Sequence, residues 1–247
     1  HGTSRGLGDV YKRQVQITRC LAKAIDYDLT KGHELAKLLM QRNELMVRRA
    51  MADVLTRLFR RLGDDALPFY YQLRDDSDSD ILAAVSTTSA DLRFLDVDMW
   101  AENLVELSNH ELPVVRRNLV PSLREYFETF PDDTRKLLPV MWQDGDEVVR
   151  TRMRELLIKM SDISSTQFGA RITDLNQHGC DLSALWRLMD ARRKGSSEAW
   201  KSWLSGEGEM PETIETMRHV STMQAPEELP DLSEALETLD EELGFLD

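Results

Sequence analysis

The stretch that decides the fold is VRRNLVPSLREYFETF, residues 115–130. Its apolar and aromatic residues recur at intervals of three and four, which places them along one stripe of an α-helix. Residues 47–62, VRRAMADVLTRLFRRL, lie 68 positions upstream and carry the same stripe. Six of the eight stripe positions are apolar or aromatic in both stretches. The shared Val-Arg-Arg opening and the shared stripe therefore indicate an internal repeat.

The same phase recurs every 34 residues, at Val47, Ile81, Val115, Val149 and Ser183. Each unit is predicted to contain a helix A, a polar turn and a helix B, because a turn rich in Asp, Ser and Gly separates two apolar stripes. The pattern predicts about five helical hairpins over residues 15–204, the last closed by a short helix at 197–204 that covers the final apolar face. The proline at 121 falls inside a predicted helix B and is expected to kink or interrupt it.

The residues that suggest a family are Leu137-Leu138-Pro139 in helix A, Asp144 and Asp146 in the turn, and Val149-Arg150 at the start of helix B. Asp76, Asp78, Val47-Arg48 and Val115-Arg116 repeat parts of this pattern. The chain thus resembles HEAT-repeat proteins of the armadillo-type α-solenoid superfamily over about residues 15–193. The resemblance implies an all-α, right-handed solenoid. The 34-residue period is shorter than the usual HEAT length, and the Ile81 and Ser183 units lack the arginine.

Both ends of the chain fall outside the repeats. Residues 1–14, HGTSRGLGDVYKRQ, show no helical or strand period and resemble translated sequencing adapter from metagenome assemblies, so we expect a non-native leader and a solenoid truncated at its N-terminus. Residues 205–230 are rich in Gly, Pro, Glu, Met and Thr and are predicted to form a flexible linker. Residues 231–247 are predicted to form an acidic amphipathic helix. Its candidate docking stripe is Leu232, Leu236, Leu239 and Leu243.

Charge is distributed unevenly along the chain. Residues 205–247 hold thirteen acids and one base, which leaves 31 acids and 30 bases in residues 1–204. The body is therefore nearly neutral, and the chain's net charge of −13 does not exclude an anionic partner for it. The longest apolar run is far too short to span a membrane, and the two cysteines have no CxxC partner. We expect no membrane association and a cytoplasmic location.

Arginines of the B helices are the candidate binding residues, because the B helices line the concave face in proteins of this resemblance. Arg48, Arg116 and Arg150 are instead expected to pair with turn acids in a ladder between repeats. The remaining arginines are left for a partner. These partner-binding candidates are Arg49, Arg57, Arg60, Arg61, Arg117, Arg124 and Arg152.

The sequence contains no pattern typical of catalysis, of a cofactor site or of a metal site, since its histidines are scattered and His178-Gly179-Cys180 has no second ligand pair. We therefore predict a non-catalytic scaffold or adaptor that binds a protein partner. The alternative is a nucleic-acid-binding protein, a relative of the HEAT-like DNA-repair glycosylases, that uses the arginine-rich face. The acidic tail is either a solubilising terminus or a helix that docks on a partner or on the chain's own basic face. The oligomeric state is left open.

Overall fold

The computed structural model describes residues 3–213, and all regular secondary structure in that part of the chain is helical. The α-helices are α1 (Thr3–Tyr27), α2 (Leu29–Met40), α3 (Leu45–Leu62), α4 (Leu67–Arg74), α5 (Ser79–Thr88), α6 (Val97–Ser108), α7 (Pro113–Thr129), α8 (Pro131–Trp142), α9 (Glu147–Ile163), α10 (Ser165–Gln177), α11 (Ser183–Arg192) and α12 (Ser196–Leu204). Two 3₁₀ helices, Gly63–Ala66 and Ser89–Phe94, precede α4 and follow α5. The predicted all-α class is confirmed.

The helices begin where the local sequence can satisfy free backbone N–H groups. The side chains of Asp78 and Asp146 accept hydrogen bonds from the first N–H groups of α5 and α9, and Asp96 does so for α6. α3 ends at Gly63, whose positive φ of 57° lets the chain turn sharply. Helices α3, α5, α7 and α9 begin at residues 45, 79, 113 and 147, which are successive steps of 34.

The odd-numbered helices contact one another in succession from α1 to α11, and the even-numbered helices pack against them. One apolar cluster runs from Leu21 on α1 to Trp200 on α12. The stripe residues Leu55, Phe59, Leu123 and Phe127 are all buried in it. Trp100 and Trp142, which the sequence places between helices, are buried as well, and Trp186 is half-buried.

The described structure departs from the sequence analysis at three places. Residues 3–14 belong to α1, because no proline interrupts them and their glycines lower helix propensity without forbidding a helix. α7 runs through Pro121 without ending. Residues 205–213, expected to bury little surface, lie against the body: Ser165 Oγ donates to Pro211 O, and Thr213 is buried.

The rest of the predicted linker and the acidic helix at 231–247, with its stripe of Leu232, Leu236, Leu239 and Leu243, lie outside the described residues. No helix in residues 3–213 is both long enough and apolar enough to cross a membrane.

Candidate functional site

Two adjacent arginines at the start of α7 bind two aspartates in the turn before α9. Arg116 donates from Nε and Nη2 to the two carboxylate oxygens of Asp144, at 2.7 and 2.9 Å. Arg117 donates in the same way to Asp146, at 2.8 and 2.5 Å. Each pair is bidentate, the geometry in which a guanidinium holds a carboxylate most firmly. We call this four-residue arrangement an arginine clamp.

The clamp sets the electrostatics of the turn. The hydrogen bonds from Arg117 hold the pKa of Asp146 well below its ordinary value, and the Asp146 carboxylate raises the pKa of Arg117. Burial raises the pKa of Asp144, but hydrogen bonds from Arg116 and from the backbone outweigh it, so the net shift is downward. Both carboxylates therefore stay ionised at neutral pH.

A second arginine clamp joins α3 to the turn before α5. Arg48 Nε lies 2.7 Å from Asp76 Oδ2, and Arg49 binds both oxygens of Asp78 at 3.0 and 2.7 Å. The expected pairing of Arg48 and Arg116 with turn acids is thus found.

The structure differs from the sequence analysis at Arg117, Arg49 and Arg150. Arg117 and Arg49 were left for a partner, but each is held by the second turn aspartate, Asp146 or Asp78. Arg150 was expected to pair with the next turn, yet it donates to Asp144 O and to Glu147 of its own helix. The physical reason is that Arg150 has no turn acid ahead of it: 34 residues beyond Asp144 and Asp146 stand a histidine and a cysteine.

The arginines late on α3 face a different neighbour. Arg57 Nη2 lies 2.9 Å from Asp26 Oδ2 on α1, and Arg61 Nε lies 4.0 Å from Oδ1 of the same residue. Arg60 makes no ion pair or hydrogen bond with the residues that the structure describes. The seven candidate arginines are thus spread over several separate contacts and do not form one patch.

Two of the candidates, Arg124 and Arg152, do come together in a cleft of about 550 Å³ between α7 and α9. We call it the α7–α9 cleft. Its lining residues are Arg93, Val120, Pro121, Arg124, Glu125, Arg152, Glu155, Leu156 and Lys159. Four cations and two carboxylates line it, and three apolar residues complete the wall. The cleft combines an excess of positive charge with an apolar surface.

Pro121 explains how Arg152 is positioned. A proline inside a helix has no N–H to donate, so the carbonyl four residues earlier loses its partner within the helix. That carbonyl belongs to Arg117, and Arg152 Nη1 donates to it from α9 at 2.7 Å. The hydrogen bond uses one donor of the guanidinium and leaves its charge without a carboxylate partner in the described contacts.

Arg93 and Lys159 were not among the residues predicted from the sequence. Lys159 lies 102 residues, three periods of 34, beyond Arg57, so the repeat register could have identified it. Arg93 belongs to the 3₁₀ helix after α5, which no apolar stripe predicts. Its guanidinium pairs with Glu125 and lies 4.5 Å from the centre of the Phe94 ring.

The described residues contain no group of three or more His, Cys, Asp or Glu side chains placed to hold a metal ion. Cys180 is buried and Cys20 is exposed. No protein-family model matches the chain, and no curated protein is found with a similar sequence. The absence of cofactors and of catalysis therefore stays a prediction from the sequence.

Proposed function

We propose that this chain is a non-catalytic, HEAT-like scaffold or adaptor that binds an acidic segment of a protein partner in the α7–α9 cleft. The helix starts at 34-residue steps and the succession of odd-numbered helices support a solenoid whose B helices are α3, α5, α7, α9 and α11. A stacked array of this kind offers a long surface to a partner without needing a reactive centre. Fold alone does not identify the partner, so the chemistry of the cleft has to do so.

The observation that carries the proposal is the charge of the α7–α9 cleft. Most other candidate arginines are neutralised within the chain: Arg49 and Arg117 in the clamps, Arg57 and Arg61 against Asp26. The cleft has an excess of two positive charges, four cations against two carboxylates. Glu125 is paired with Arg93 and Arg124 lies 3.6 Å from Glu128, which leaves Arg152 and Lys159 as the cations without a carboxylate in the described contacts.

The partner segment that fits is acidic and carries apolar side chains. Its carboxylates would meet Arg152 and Lys159, and its apolar face would cover Pro121 and the wall beside it. Charge pairs at such a rim set the rate and specificity of association more than its strength. We therefore expect binding to weaken as salt is added.

A fluorescein-labelled peptide with the sequence of residues 231–247 tests the proposal, since it holds seven acids, no base and a leucine stripe. Anisotropy is measured with the full chain and with a chain that ends at Thr213, in which the same segment cannot compete. The variant Arg124→Glu/Lys159→Glu should weaken binding by about tenfold or more, equivalent to about 1.4 kcal/mol. The matched control Arg60→Glu/Arg57→Glu makes the same charge change on α3.

Equal weakening in the control would show general attraction between charges and would contradict the proposal, as would no binding to either chain. A DNA duplex in the same assay tests the nucleic-acid alternative. Tighter binding of the duplex, with a steep loss of affinity as salt rises, would favour that alternative. The cytoplasmic location expected from the cysteines is likewise a proposal.

A further inference from the structure

A second groove, of about 600 Å³, lies between α6 and α8, on the even-numbered helices. We call it the α6–α8 groove. Ala101 and Val105 of α6 and Leu137 and Val140 of α8 line it, and Tyr126 of α7 also contributes to its wall. Val105 is 42% exposed and Val140 51% exposed, although both are apolar. The volume is in the range of ligand-binding sites in proteins.

Neighbouring junctions between even-numbered helices are joined by ion pairs. Arg74 of α4 lies 2.9 Å from Glu106 of α6, and Arg135 of α8 lies 3.5 Å from Asp174 of α10. The two acids occupy the same register, because residues 106 and 174 are separated by two steps of 34. The residue at the step between them is Val140.

The α6–α8 junction therefore lacks the groups that join its neighbours. Val140 stands where the next junction has Asp174, and Ala101 stands 34 residues before Arg135. Two short apolar side chains replace an arginine and an aspartate. This substitution leaves an apolar channel where an ion pair crosses the next junction along the chain, between α8 and α10.

Acidic groups line the α6–α8 groove alongside its apolar residues. Glu102, Glu106 and Asp133 line it together with a single cation, Lys136. Lys136 lies 3.7 Å from Asp133 and Glu106 is paired with Arg74, so Glu102 is the carboxylate left without a cation in the described contacts. The chain's own residues 231–247, with seven acids, carry the wrong charge for this rim.

We propose that the α6–α8 groove is a docking site for an amphipathic segment of a protein partner whose apolar side chains are flanked by Lys or Arg. Val105, Leu137 and Val140 receive the apolar side chains, and Glu102 receives a cation. This is recognition of an amphipathic helix in an apolar groove. The site is independent of the α7–α9 cleft and selects a partner of opposite charge.

The experiment measures anisotropy of two labelled 15-residue helical peptides, one of Leu and Lys and one of Leu and Glu, with the full chain. The Leu/Lys peptide should bind and the Leu/Glu peptide should not. The variant Ala101→Arg/Val140→Asp rebuilds the missing ion pair without changing net charge. It should weaken binding of the Leu/Lys peptide by about tenfold or more.

The matched control is Leu38→Asp/Gln41→Arg, which adds the same two charges to α2, where Leu38 is 59% exposed. Binding to this control should equal binding to the unchanged chain. A second variant, Val105→Gln, removes apolar surface from an exposed position and should weaken binding several-fold even if the rebuilt pair perturbs folding. Unaltered binding by both groove variants, or equal binding of the two peptides, would overturn the proposal.

Discussion

Two junctions between successive odd-numbered helices differ in how they are held. Between α7 and α9, Arg116 and Arg117 bind the turn aspartates of the arginine clamp. Between α5 and α7 the corresponding positions are Leu82 and Ala83, and Asn118 Nδ2 donates instead to Ala83 O at 3.0 Å. The helices contact each other at both junctions. The apolar stripe is thus shared, while the polar connection is interchangeable.

The turns show the same division of roles. The side chains of Asp144 and His110 each accept a hydrogen bond from the backbone N–H two residues later, at 2.7 and 3.1 Å. Only Asp144 also binds an arginine of the preceding odd-numbered helix. A histidine can therefore shape this turn, but closing the clamp requires a carboxylate.

The largest loss should come from the shared core. Phe59→Ala and Phe127→Ala each remove a ring from a buried position, since Phe59 is 4% and Phe127 1% exposed. Each should lower the free energy of unfolding by about 3–5 kcal/mol, because a cavity is left where the ring was. Urea melts followed by circular dichroism measure this. A loss below about 1 kcal/mol for either variant would contradict the common role of the stripe.

The turn residues separate the two junctions. Asp144→Ala removes the acceptor of the turn and leaves Arg116 without its carboxylate, so it should cost about 2–3 kcal/mol. His110→Ala removes only the turn acceptor and should cost about 1 kcal/mol. The control Asp144→Asn keeps an acceptor oxygen but no charge, and should fall between the two. Equal losses for Asp144→Ala and His110→Ala, in urea melts, would mean that the clamp adds nothing.

Acid should weaken the clamped junctions selectively. Hydrogen bonds from Arg49 and Arg117 lower the pKa of Asp78 and Asp146 below the model value of 3.8. The unfolded chain therefore binds these protons first, so stability from the clamps is present above about pH 4 and is lost as pH falls below it. Thermal melts of the double variant Asp78→Asn/Asp146→Asn should decline less between pH 5 and pH 3 than those of the unchanged chain. Parallel declines would contradict this.

Much of the helical framework could be predicted from the sequence, because apolar periodicity reports which face of a helix is buried. The stripe residues Phe59 and Phe127 are buried as predicted, and the closing helix expected at 197–204 is α12. The partners of Arg117 and Arg150 were harder to predict. Two adjacent helix residues diverge by about 100°, so periodicity assigns Arg117 to another face, and only the turn's two aspartates bring both arginines into use.

The candidate site was predictable only in part. Arg124 and Arg152 were identified as candidates, but a cleft depends on which side chains are missing or paired across a junction, and charge patterns do not show this. Arg93 reaches the α7–α9 cleft from a 3₁₀ helix that has no apolar period. The α6–α8 groove could have been found by listing residues 106, 140 and 174 in register, since the acid is absent at the middle step.

The smallest effect concerns the hydrogen bond from Arg152 to the Arg117 carbonyl, which Pro121 leaves without an N–H donor. Arg152→Met should cost about 0.5–1 kcal/mol in the unchanged chain. In a Pro121→Ala background the new N–H satisfies that carbonyl within α7, so the same substitution should cost less. At the α5–α7 junction, Ala83 O has no proline four residues later, and Asn118→Ala should cost the same with or without Pro121→Ala. Urea melts of the double-mutant cycle measure the coupling. A cost of Arg152→Met that does not change with residue 121 would show that Pro121 plays no part in positioning Arg152.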